Sequence, residues 1–134
     1  MSTLGRRQLA LAALAAGAIL ATLAAGCSPG PRNAPVDPGK ARDTLKTALE
    51  SWKKGDPATA LQGASPPIYI IDPDWQGGTK LVDYQIVGDG EEKDAQLFAK
   101  VRLTVRGKNG KDVSQDATFI ISTAPNLTVS RKIF

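Results

Sequence analysis

Leu97, Ala99, Val101, Leu103 and Val105 alternate with Phe98, Lys100, Arg102, Thr104 and Arg106. Successive side chains of a strand point to opposite faces, so this pattern predicts a β-strand with one buried and one wet face. Asn109-Gly110 follows, and both residues tolerate the positive φ of a tight turn, which predicts a hairpin. Val113, Ala117, Phe119 and Ile121 carry the apolar face onto the return strand. Ala124-Pro125-Asn126 turns the chain again, and Leu127, Val129 and Ile133 complete the pattern. A sheet of this kind has one apolar face and needs a cover from elsewhere in the chain.

A helix supplies it. Asp37-Pro38 combines an N-cap residue with a proline at the first helical position. Ala41, Leu45, Ala48, Leu49 and Trp52 then fall on one stripe, with Lys53 and Lys54 in the last turn and Gly55 to close it. Asp56-Pro57 repeats the start signal, which predicts a second, short helix from Pro57 to Gln62 ended by Gly63. Ser65-Pro66-Pro67 breaks the chain. Ile68-Tyr69-Ile70-Ile71 reads as a short edge strand, because prolines beside it suit an edge. Asp72-Pro73-Asp74 and Gly77-Gly78 read as turns around Trp75, Leu81 to Val87 as a strand, and Gly88 to Asp94 as an acidic loop.

The first 26 residues read differently. Arg6-Arg7 is a short positive region, and Leu9 to Ala25 is a 17-residue run without a charge. A permanent membrane helix needs about 20 residues, and this run ends in small residues, as a cleaved export signal does. Gly26 and Cys27 follow, and Cys27 is the one cysteine of the 134-residue chain. No internal disulfide and no cysteine-based zinc site can form. Ser28 to Pro38 carries Pro29, Pro31, Pro35 and Pro38 with Gly30, a composition that predicts an extended spacer. The expected organisation is an export signal at 1–26, a tether at 27–37 and one α+β domain at 38–134.

Leu23-Ala24-Ala25-Gly26-Cys27 resembles a bacterial lipobox. The resemblance implies cleavage between Gly26 and Cys27, a diacylglyceryl group on the Cys27 sulfur and a fatty-acyl group such as palmitate on the new amino end. The commoner Leu three residues before the cysteine is Ala24 here. Two or more acyl chains give stable anchoring, at about 0.8 kcal/mol per buried methylene. By likeness to lipoproteins of two-membrane bacteria, Ser28 in place of Asp implies the outer membrane. Arg6-Arg7-Gln8-Leu9 resembles the twin-arginine signal, with Gly5 departing from it, so both general secretion and twin-arginine export stay open. Leu49-Glu50-Ser51-Trp52-Lys53-Lys54-Gly55-Asp56, a second helix and an antiparallel sheet resemble the NTF2-like, cystatin-like cone. Short lipoproteins of uncharacterised function are similar in Pro66-Pro67-Ile68, Asp74-Trp75 and Thr128-Val129-Ser130-Arg131. The fold class implied is α+β: a long N-terminal helix and a short one packed on a curved antiparallel sheet.

Function is far less legible. The chain has no histidine, the commonest general base and metal ligand. The formal charge of +4 falls when Arg6 and Arg7 are set aside, leaving 15 basic against 13 acidic residues, which does not argue for nucleic acid. The cone resemblance implies a pocket between helix and sheet, for which the chain offers Trp52, Tyr69, Asp72, Asp74, Trp75 and Tyr84. A carboxylate among aromatics would have a raised pKa and could serve a dehydratase or isomerase as its base. Against this, Asp72-Pro73-Asp74 is ordinary turn chemistry, Trp75 suits a core and Tyr84 a sheet. Lys100, Arg102, Arg106 and Lys108 form a basic patch, with Arg131 and Lys132 nearby. It suits an anionic lipid or glycan, or is a solvated face neutralised by Asp112 and Asp116. No metal or cofactor is expected. The reading preferred is a non-catalytic binding or scaffolding domain on a lipid anchor, meeting an envelope protein or an anionic glycan; the alternative is a small-pocket enzyme.

Overall fold

The computed structural model describes residues 34–133; the expected export signal, Cys27 and most of the expected tether lie outside them. The main helix, α1, spans Pro38–Lys54, 17 residues. Asp37 is its N-cap, its side chain accepting from the Lys40 amide at 3.1 Å, and Gly55 ends it at φ 91°. That left-handed conformation strains any residue with a Cβ. Ala41, Leu45, Ala48, Leu49 and Trp52 are all buried. The body begins slightly before the helix. Val36 is 6% exposed within the core, and the Asp37 amide donates to Thr123 Oγ1 at 3.0 Å.

After a four-residue 3-10 turn at Ala60–Gly63 come β1 (Ile68–Ile71), a one-turn helix α2 (Pro73–Gln76), β2 (Lys80–Lys93), β3 (Gln96–Arg106), β4 (Asp112–Ser122) and β5 (Leu127–Arg131). The strands form one sheet in the order β1-β5-β4-β3-β2. β2 to β5 make an antiparallel meander, while β1 lies parallel to β5, Ile68 opposite Leu127 and Ile70 opposite Val129.

This overturns the expected fold class. The NTF2-like or cystatin-like cone, a long N-terminal helix and a short one packed on a curved antiparallel sheet, is not what forms. The sheet is mixed, with five strands and one main helix. Two local causes are visible. The segment after Asp56-Pro57 has no apolar stripe; its 3-10 turn buries nothing, and the Asp56 carboxylate accepts from Ser51 Oγ instead of capping a helix. And β5 leaves one edge free after pairing with β4, which β1 fills in parallel. The expected acidic loop at Gly88 to Asp94 is strand as far as Lys93. Gly88 and Gly90, at φ 72° and 85°, absorb a register shift between Val87 and Glu91 that lets β2 continue beside β3. Ile133, expected on the apolar face, is 69% exposed.

One sheet face is covered. Leu97, Ala99, Val101, Leu103 and Val105 of β3, Phe119 and Ile121 of β4, Leu127 and Val129 of β5, and Ile68 and Ile70 of β1 join the α1 stripe in one core. Burial of each such Leu, Ile, Val or Phe contributes about 1.5–3 kcal/mol.

Candidate functional site

The six residues expected to share a pocket separate into four places. Trp52, at the end of α1, and Trp75, on α2, stack with ring centroids 5.5 Å apart and planes 9° apart. Both indole N–H groups are used within the fold. Trp52 Nε1 donates to the Thr79 carbonyl and Trp75 Nε1 to the Asp56 carbonyl, each at 2.8 Å. The pair forms the floor of an open cleft of about 510 Å³ whose walls include Pro57, Ala58, Gly78 and Thr79. The rings are 2% and 6% exposed, so they fill the space between helix and sheet and show the cleft little of their faces.

Asp72 and Asp74 lie elsewhere, around Arg131. Continuing the parallel register of β1 and β5 by one residue sets Asp72 opposite Arg131. Asp72 is 1% exposed. Its Oδ1 accepts from the Asp74 amide at 2.9 Å and from the Trp75 amide at 3.4 Å, capping α2, and its Oδ2 accepts from Arg131 Nη2 at 2.9 Å. Asp74 Oδ2 accepts from Arg131 Nη1 and from Gln115 Nε2, both at 3.3 Å. The guanidinium lies 5.1 Å from the Phe119 ring centroid. Burial pushes the Asp72 carboxyl above its ordinary range, against the pull of Arg131 and the two amides. The arrangement ties the end of β5 to the start of α2. Alternation along Leu127, Val129 and Arg131 is the signal that places Arg131 on the covered face.

Tyr69 and Tyr84 join neither group. Tyr69 is on the bare face of β1, opposite Thr128 and 40% exposed. Tyr84 donates its hydroxyl to Glu50 Oε1 at 2.9 Å, tying β2 to α1. Burial, and next the Glu50 carboxylate, push its pKa up to about 12.

The four residues of the expected basic patch also divide. Arg102 Nε donates to Asp116 at 3.1 Å and Arg106 Nε to Asp112 at 3.2 Å, across the β3–β4 ladder. Lys108 sits in the hairpin turn, and Lys100 faces Thr118 and Val87. Among the described residues no group of three His, Cys, Asp or Glu side chains is placed to hold a metal.

No protein family, curated protein or solved structure matches the chain.

Proposed function

We propose that this chain is a lipid-anchored envelope protein whose domain binds or scaffolds a partner without catalysing a reaction. The anchor rests on the sequence: an uncharged run, small residues, and the one cysteine directly after Gly26, followed by a proline-rich spacer. The observation that carries the non-catalytic reading is the occupation of the carboxylates. Asp72 and Asp74 bind Arg131, and Asp72 caps α2, so the groups best suited to acid–base work hold the fold together. The stacked tryptophans fill the space between helix and sheet, and neither Asp72 nor Asp74 lines the cleft outside them. Fractionation tests the anchor. Cys27→Ser should leave the leader uncleaved and the domain lost from its membrane; a variant processed and membrane-held as before would refute it. Cross-linking in intact envelopes then identifies the partner, and turnover of a small substrate that Asp72→Asn abolishes without unfolding the protein would replace binding by catalysis.

A further inference from the structure

The sheet face opposite α1 has no covering element among the described residues, and its composition changes along its length. Six cross-strand rows follow from the register. At the hairpin end, Asp112 opposes Arg106, Ser114 opposes Thr104 and Asp116 opposes Arg102. These three rows are polar, and Arg106 and Arg102 are paired with Asp112 and Asp116, while Lys80, opposite Arg106 on β2, has no carboxylate partner among the described residues. The other three differ. One runs Ile71, Ser130, Ile120, Phe98, Glu91. The next holds Lys132, Thr118, Lys100 and Val87, and the outermost Tyr69, Thr128, Ser122, Gln96 and Lys93. Tyr69, Ile71 and Val87 are 40–55% exposed. Lys93, Lys100 and Lys132 have no carboxylate partner among the described residues, and Glu91 is the one acid on these rows. Lys132 Nζ lies 5.8 Å from the Phe98 ring centroid.

This apolar, cationic half is also the half beside the N-terminal segment. The Asp37 amide bonds Thr123, the residue after the outermost row, so the tether enters at that end of the sheet. Lys100 is four residues along β3 from Gln96, about 13 Å at the usual strand rise. Residues 28–35 span at most about 26–29 Å. A membrane holding Cys27 is therefore within reach of the apolar half.

We propose that this half of the bare face rests on the surface of the bilayer that holds the anchor. Tyr69, Ile71, Val87 and Phe98 enter the headgroup layer, and Lys93, Lys100 and Lys132 meet lipid phosphates. Exposed aromatic and aliphatic side chains with basic ones suit this interface, and three free lysines against one acid match its negative charge. The polar rows, the β3–β4 hairpin and the cleft at the end of α1 then face away from the membrane. The proposal rests on the lipid-anchored reading, and the test separates the two. The full chain is expressed with its leader, purified, and checked by mass for lipid on Cys27. A single new thiol is introduced by Ile71→Cys or, on the polar half of the same face, by Ser114→Cys, and carries a fluorophore. Vesicles of phosphatidylcholine and phosphatidylglycerol contain lipid with a nitroxide quencher near the headgroup. The expected result is several-fold stronger quenching at position 71 than at 114. Lys93→Gln, Lys100→Gln and Lys132→Gln together should lower it. Equal quenching at both positions in protein that floats with the vesicles overturns the orientation while leaving the anchor intact. Protein that carries no lipid and does not float overturns the anchor and the orientation with it. A position 71 unquenched by lipid but shielded from aqueous quencher in native envelopes assigns the face to a protein partner and overturns the proposal.

Discussion

Arg131 is where single side chains matter most. Its side chain is 13% exposed and stands between Asp72, 1% exposed, and Asp74. A buried ion pair adds little over apolar packing, but removing one partner strands the other charge. Arg131→Met should therefore destabilise the domain by about 3–5 kcal/mol at neutral pH. The further change Asp72→Asn should recover more than half of that loss, as urea denaturation of the two variants would show. The sign of the pH dependence follows from the carboxyl's upward shift. The native state holds the Asp72 proton more tightly than the unfolded chain does, whose value is near 3.8. Stability from this group is complete below that value and is lost as pH rises through the raised one. Asp72→Asn should remove this part of the slope of unfolding free energy against pH, and Arg131→Met should steepen it. The aspartates were visible in the sequence as chemically interesting; their use was not, because the ion pair depends on the parallel alignment of β1 with β5.

The Asp-Pro dipeptide shows how far local signals reach at the scale of elements. It occurs three times before an expected or observed turn of helix. At Asp37-Pro38 an apolar stripe follows, the carboxylate caps, and α1 forms as the spacing predicts. At Asp56-Pro57 the carboxylate is taken by Ser51 and no stripe follows, so the expected helix shrinks to a 3-10 turn. At Asp72-Pro73, read as a plain turn, Trp75 is buried and Arg131 holds the cap in place, and a one-turn helix forms. The same two residues give different outcomes because burial further along the chain decides them. Glycines separate local from non-local cost in the same way. Gly55 (φ 91°) would meet nothing within 4 Å if it carried a Cβ. Gly90 (φ 85°) would bring a Cβ to 3.0 Å from Leu97 Cδ1 and from the Phe98 carbonyl oxygen. Gly55→Ala should cost about 1 kcal/mol for the left-handed backbone alone. Gly90→Ala should cost clearly more, since it also displaces the β2–β3 ladder at its bulge. Thermal denaturation of the two variants side by side would check the order.

At the scale of the whole molecule, the core is drawn from Val36 to Val129. A chain beginning at residue 36 should fold cooperatively and keep its circular dichroism in excess chelator. A chain beginning at residue 38 loses the Val36 side chain and the Asp37 cap and should be about 2–3 kcal/mol less stable, as chemical denaturation would show. Val36 lies among prolines and reads as spacer in the sequence; its burial depends on the β4–β5 end of the sheet. The meander and the main helix were legible because period and caps are local. The mixed sheet was not, because nothing within Ile68–Ile71 says which strand it will meet.

That meeting sets an order of events. Ile68 and Leu127 are about 60 residues apart in the chain, and closing so long a loop is entropically unfavourable until other contacts hold its ends. The hairpins of β2, β3 and β4 can assemble as they emerge, but β1 has no neighbour until β5 has been made and has settled against β4. In the interval Ile68-Tyr69-Ile70-Ile71 is an uncharged, β-prone segment without a mate, of the kind that seeds aggregation. Its brevity and the prolines bracketing it, Pro66-Pro67 before and Pro73 after, act as gatekeepers over the period when the strand waits.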